Sequence, residues 1–246
     1  MTSGEFWEHW QFGLIVTGKS EQKSIDRLFR TLSATGLCSF KVIRRIGQLS
    51  PITSPKRKLE MVGAGKKVPD KDVREIGFPA RKYLHGKNGR FVVLIDDLEW
   101  DRKEQVEGIF GRYRAALDKV LNTPDDRAKV AVHFLVMMLE AYFFADSQTV
   151  NEILGINLSD YSGDVEEKRH PKNELSKLCD AYRETEHGSA ILEKLRVDHV
   201  LARTDCCAYL RTLFNWCISK LKNHPYADSV SLPDYTGKMA TVTSNQ

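Results

Sequence analysis

The stretch 12-FGLIVTGKSEQKSIDRLF-29 decides the fold, because it can be read in two ways. As a string, Gly13-Leu-Ile-Val-Thr-Gly18-Lys19-Ser20 satisfies the pattern of a phosphate-binding loop, with glycines framing four variable positions before Lys-Ser. That loop works only if the variable positions leave the strand and wrap phosphates with their N–H groups. Here they are Leu14, Ile15, Val16 and Thr17, which favour extended, buried backbone, and the preceding "EFWEHWQ" is a poor strand. Propensity therefore predicts a strand over 12–17 and a turn at Gly18-Lys19. A helix should follow from Ser20, where Ile25, Leu28, Phe29 and Leu32 recur at helical spacing. Ser20 is its expected N-cap and Gly36 its end. A nucleotide hydrolase built on the loop pattern ranks third among the functional readings below.

Strand-helix-strand continues outward from there. "CSFKVIRRI" (38–46) reads as a second strand and "RFVVLIDD" (90–97) as the clearest one. A helix is expected over 102–121, with Val106, Ile109, Phe110, Tyr113, Leu117 and Val120 on one face. "NTPDD" (122–126) marks a boundary, and "AKVAVHFLVMMLEAYFFAD" (128–146) begins as strand and ends as helix. Short helices fill 147–222, and 223–246 has no period, as expected of a loosely ordered end. The class is α/β, a sheet flanked by helices, with a core over 1–124 and the last strand plus a helical region over 125–222.

The chain is 41% hydrophobic and 28% charged, enough apolar surface for a full core. It has no membrane-length apolar run, and its start lacks the basic and apolar regions of a signal peptide. Five cysteines without Cys-x-x-Cys spacing suggest neither a disulfide framework nor a zinc site, so a cytoplasmic location is expected. The net charge of +4 conceals a basic insertion over 47–90. From Arg44 to Arg90 there are thirteen Lys/Arg against four acids, a field that attracts polyanions. Short helices are expected near 70–76 and 79–85. Lys56, Arg57, Lys58, Lys66 and Lys67 surround a Gly-Ala-Gly turn and suit nonspecific contacts to nucleic-acid phosphates, to which Lys19 adds another. A solvated loop, or one docking an acidic protein, is the alternative.

Acids gather at the end of the clearest strand: Asp96, Asp97, Glu99 and Asp101. Ligands of open α/β sheets bind at such strand ends, and carboxylates there are hard donors for Mg²⁺ or Mn²⁺. Alternation places Asp97 and Glu99 on one side and Asp96 on the other. A polar strand end capping the next helix is the competing reading. Glu140 stands in the apolar run "MMLEAYFF", where a carboxylate needs a cation or an arginine partner. Asp146 ends that helix or caps the next, His133 is expected as a hydrogen-bonded core residue, and His170 before Pro171 as turn chemistry.

The glycine turn after the first strand, the "GKSE" helix start and the acid pair resemble the Toprim fold of topoisomerases, primases and overcoming-lysogenization-defect nucleases. "LIVTGKSEQKSIDRLF", "SPITSPKRKLEMVGAGKKVPDKD", "VVLIDDLEWDR", "HFLVMMLEAYFFAD" and "HPKNELSKL" extend the likeness over nearly the whole chain, to the Toprim-related family called domain of unknown function 4276. The resemblance implies a strand-one glutamate and an Asp-x-Asp pair that work around divalent metal in phosphodiester cleavage. Carried over, Asp97 and Glu99 match the acid pair, with Asp96 as the alternative register, and Glu140 and Asp146 match a second acidic signature. The strand-one glutamate falls at Thr17, which has no carboxylate; Glu21 substitutes if its side chain folds back.

The implied catalytic set is thus Glu21, Asp97, Glu99 and Glu140, and the implied metal set Asp96, Asp97, Glu99, Glu140 and Asp146. The resemblance also implies an ABC-type or AAA-type ATPase partner in a bacterial anti-phage system. A Toprim-like domain that binds nucleic acid or an ATPase without catalysis is the second reading, favoured by Thr17. Oligomeric state stays open, with a homo-oligomer among the alternatives.

Overall fold

Trp10–Val16 forms β1, and its side chains are buried on both faces, as in an interior parallel strand. The computed structural model describes residues 9–51 and 70–241. Cys38–Arg45 (β2), Arg90–Leu98 (β3) and Val130–Val136 (β4) complete an all-parallel sheet of order β2-β1-β3-β4. Gly13 lies inside β1, opposite Lys41 of β2 and Val92 of β3. The Tyr83 ring packs over it so closely that a Cβ would come within 2.7 Å. The phosphate-loop reading is overturned: of its variable positions, Leu14, Ile15 and Val16 are strand paired on both sides, and only Thr17 lies beyond the strand end.

Alternation along the strands assigns each helix to a face. Phe12 stacks on Phe40 and Phe91 at centroid distances of 4.6 and 5.1 Å. Phe29 covers Phe40 at 4.2 Å and meets Phe214 at 5.3 Å. The first helical segment and the C-terminal helix therefore share this face. That segment is irregular: α1 (Lys19–Ser24), then a 3₁₀ turn (Ile25–Phe29), then Arg30–Ser33. On the other face lies a helical run from Asp70 that ends in α2 (Phe78–Leu84), with a π turn at Val73–Gly77 joining the two helices expected there. The backbone of α3 (Val106–Asp118) approaches Gly77 so closely that a Cβ there would lie 2.7 Å from the Ala116 carbonyl. Residues 102–105, expected as its first turn, belong instead to a 3₁₀ segment, Trp100–Gln105.

The helices following β1 and β3 thus lie on opposite faces, which opens a crevice at the C-terminal ends of these two strands. Beyond β4 come a 3₁₀ turn (Leu139–Ala145), α4 (Ser147–Leu154), α5 (Pro171–Leu178) and α6 (Ala208–Leu221). The end of the chain is not loose as far as residue 241. Tyr235 and Ala240 are buried, and the Lys238 and Ala240 N–H groups donate to the Thr204 carbonyl and the Thr212 hydroxyl. Among the described residues no helix is long and apolar enough to cross a membrane. Lys56, Arg57, Lys58, Lys66 and Lys67 lie outside the described residues.

Candidate functional site

Period-two alternation sends the last two acids of β3 to opposite faces, and the opposing helices give them opposite fates. Asp96 points toward α3. Tyr113 Oη and Thr17 Oγ1 each donate to it at 2.9 Å, and the Arg102 guanidinium pairs with it at 2.9 Å. Arg102 also donates to the carbonyls of Asp97 and Leu49, and Thr17 Oγ1 accepts from the Asp97 N–H at 3.2 Å. Both Asp96 oxygens are therefore spent on holding the strand end, which leaves none for the metal role expected of it. Thr17, at the position of the implied glutamate, is a fastener of the acid turn.

Asp97 points to the other face, toward α1. The helix begins at Lys19 with Gly18 as its N-cap, and Ser20, the expected cap, instead donates its hydroxyl to the Glu184 carboxylate. Glu21 folds back over Gly18, so a Cβ at Gly18 would overlap its carboxylate. The third acid arrives from β4. Met137 and Met138 have φ of 61° and 72°, and Met138 combines this with ψ of 161°, a region essentially reserved for glycine. This costly corner turns Glu140 into the same space and aims the Leu139 N–H at the Asp97 carboxylate.

The three carboxylates are buried and interact. Burial, then the charges of Glu21, Glu140 and Asp96, pushes the Asp97 carboxyl well up, against the Leu139 N–H. Burial likewise raises Glu21, with further pressure from Glu184. Glu140 rises to about 7 through burial and the nearby Glu184 and Glu21. Among the described residues no arginine pairs with Glu140, the partner that a buried carboxylate here would otherwise need. Glu21 Oε2 and Asp97 Oδ1 are buried with no hydrogen-bond partner among the described residues. Lys172, in the first turn of α5, supplies positive charge: its ammonium pairs with Glu184 and is felt by Glu140 and Asp97. Burial would raise Glu184 too, but Lys172 and the Ser20 hydroxyl hold it below the usual range.

Among the described residues no three carboxylates, histidines or cysteines already converge as a ready-made metal cage. The donor set is nonetheless of the right kind for Mg²⁺ or Mn²⁺, with hard carboxylate oxygens, two of them orphaned in a buried, mutually repelling group.

Other expected residues lie apart from this cluster. Glu99, beyond the end of β3, is exposed and lines a neighbouring cavity of about 310 Å³ with Trp100, Met138, His170 and Pro171. It is not paired with Asp97, because the strand ends at Leu98 and alternation stops there. Asp146, a candidate ligand, caps α4 through the Thr149 N–H and binds the Arg196 guanidinium at 2.6 Å. Against its burial, these partners hold its carboxyl low. Lys19 is exposed on α1. His133 is buried without the expected hydrogen bond; among the described residues neither ring nitrogen has a partner, the ring lies against Trp216 at 6.1 Å, and burial lowers its pKa to about 3. His170, with φ of 52°, stands at the N-cap position of α5 immediately before Pro171.

Ser20, Lys172 and Glu184 were not legible as site residues. Lys172 alone left a trace, since a cation in a helix's first turn opposes the macrodipole and needs an acidic partner elsewhere.

A search of curated proteins gives no match. Among solved structures, the C-terminal region of the Burkholderia pseudomallei OLD protein is similar at 14% identity and a TM-score of 0.40, over 89% of this chain and 98% of that one. The C-terminal region of the Xanthomonas campestris pv. campestris OLD protein is similar at 12% identity and a TM-score of 0.37, over 87% and 97%. The family model described as Domain of unknown function (DUF4276) matches residues 16–215. The chain belongs to that family.

Proposed function

We propose that this chain is a metal-dependent nuclease that hydrolyses phosphodiesters of DNA or RNA at the Glu21–Asp97–Glu140 cluster. The observation that carries this reading is the pair of orphaned, buried oxygens, Glu21 Oε2 and Asp97 Oδ1, in a group whose charges repel one another. Such a group is stable only when protonated or when it binds a cation. Glu21 and Asp97 would hold Mg²⁺ or Mn²⁺, which supplies Lewis-acid polarisation of a phosphoryl oxygen when bound. Glu140, with its pKa near 7, is suited to take a proton from the attacking water at neutral pH. Lys172 offsets part of the cluster's negative charge, which otherwise repels a phosphate. Thr17, Tyr113 and Arg102 keep Asp96, and with it the acid turn, in place.

The same reading includes a cytoplasmic location, for which the cysteine pattern is the support, and an ATPase partner with defence against phage, for which support comes from the sequence resemblance and from no residue of the site. Incubation of plasmid DNA or tRNA with the protein and Mg²⁺ or Mn²⁺ tests the core of it. Cleavage that Asp97→Asn reduces to background is the expected result, and binding without cleavage under either metal overturns it.

A catalytically silent binding module is the second reading. It has its own support: the described carboxylates do not form a ready-made cage, and Thr17 brings no carboxylate to the end of β1.

A further inference from the structure

The outer edge of the sheet carries a second concave surface, which shares no residue with the acid cluster. It encloses about 610 Å³ between β2 and α2, within the range of small-ligand sites, and its walls include Arg44, Arg74, Phe78, Lys82, Tyr83 and Arg90. Four of these are cations, and among the described residues no carboxylate lines the groove. Arg74, Phe78 and Lys82 follow one another at intervals of four along the helical run, so an aromatic ring sits between two cations on one helix face.

The two rings differ in what already covers them. Tyr83 is buried, with the Arg90 guanidinium 4.9 Å and the Lys41 ammonium 5.3 Å from its centroid. Phe78 is 50% exposed, and among the described residues it has neither a ring nor a cation stacked on it. A surface that merely attracts phosphates has no use for a bare ring. A surface that docks another protein needs a wider apolar field than Ile43 and Pro79 add here. A base with its phosphates uses both features at once, since the base offers a π-face and the backbone offers charge. Bases in a duplex are stacked on one another and cannot reach the ring, whereas unpaired ones can.

We propose that this groove binds single-stranded nucleic acid, with one base stacked on Phe78 and the flanking phosphates held by Arg44, Arg74 and Lys82. The inference rests on the nucleic-acid half of the function proposed above and extends it to a subsite remote from the acids. It makes the expected contact to the sugar-phosphate backbone only part of the recognition.

Fluorescence anisotropy of the full chain with a labelled oligothymidylate of about ten nucleotides, in chelator so that nothing is cut, tests it. Phe78→Ala is expected to weaken binding about 5- to 150-fold, and Phe78→Trp to keep it. The double variant Arg44→Gln, Lys82→Gln should lower the slope of log affinity on log salt by about 0.7 per charge removed. A duplex of equal length should bind with no dependence on Phe78. Because Phe78 is a surface residue, an unchanged melting temperature will show that the alanine variant is folded. Binding of Phe78→Ala within about twofold of wild type would overturn the proposal. So would equal, Phe78-dependent binding of polyglutamate, which would mark a dock for an acidic protein.

If the wild type never cleaves but binding depends on Phe78, the groove stands and the nuclease reading falls; cleavage without Phe78 dependence has the reverse meaning.

Discussion

Gly18 is a glycine because Glu21 occupies the place of its side chain. Gly18→Ala is therefore expected to displace the Glu21 carboxylate while leaving β1 and the core intact. The readout is thermal unfolding with and without Mn²⁺: the wild type should be stabilised by the cation, and the variant should lose most of that shift. Asp97→Asn should act in the opposite direction on the metal-free protein. It removes a buried charge repelled by Glu21 and Glu140, so stability in chelator should rise by about 1 kcal/mol even as cleavage disappears. Lower stability of that variant in urea unfolding would contradict the repulsion argument. Glu140 contributes to the pH dependence in the same direction as Glu21 and Asp97, which burial also raises. Its folded pKa of about 7 exceeds the ordinary 4.5, so the folded state holds a proton that the unfolded state releases. Metal-free stability should fall as pH rises from about 4.5 through 7, by about 3 kcal/mol if the whole shift is expressed. Glu140→Gln should flatten that slope, which urea midpoints across the pH range would measure.

At the scale of elements, the ends of β4 and α4 show two ways of placing an acid. The corner at Met137-Met138 uses strained backbone to aim Glu140, at a cost of about 1–3 kcal/mol per residue, which suggests selection for the site over stability. Asp146 is placed without strain, as the N-cap of α4, and both its oxygens are satisfied by Thr149 and Arg196. Asp146→Ala is expected to cost about 1–2 kcal/mol, the range of a lost cap, and to leave the nuclease assay unchanged. Loss of cleavage with unaltered stability would return Asp146 to the metal set. Its carboxyl is held below the usual value, so its contribution is present above the unfolded pKa and is lost as pH falls through the folded one. Acid should therefore weaken α4 while it relieves the Glu21–Asp97–Glu140 cluster.

At the scale of the whole molecule, Arg211 ties the end of the chain to the core. It is fully buried on α6 and donates to the carbonyls of Leu201, Arg203, Cys206 and Thr236. Arg211→Met should strand those carbonyls and cost about 3 kcal/mol or more, read as a lowered melting temperature. A period-based reading of 223–246 had no means of seeing this, because the segment is held by hydrogen bonds to another element and not by an apolar pattern of its own. The strands were legible for the opposite reason: β1, β3 and β4 each bury an apolar run, and burial in a parallel sheet is written in local composition, while the edge strand β2 buries only Cys38 and Phe40. The same local physics disposed of the phosphate-loop pattern and marked Asp97 and Glu140, since an acid at an apolar strand end or in an apolar run has few innocent explanations. Sequence by itself could not say that Asp96 would be consumed by Thr17, Tyr113 and Arg102, or that Glu99 would fall outside the strand. Nor could it say that Ser20, Lys172 and Glu184, up to 164 residues apart, would meet. Those outcomes depend on which helix packs on which face and where alternation stops. Only the tertiary structure decides that, because the partners are brought together by packing and share no spacing along the chain.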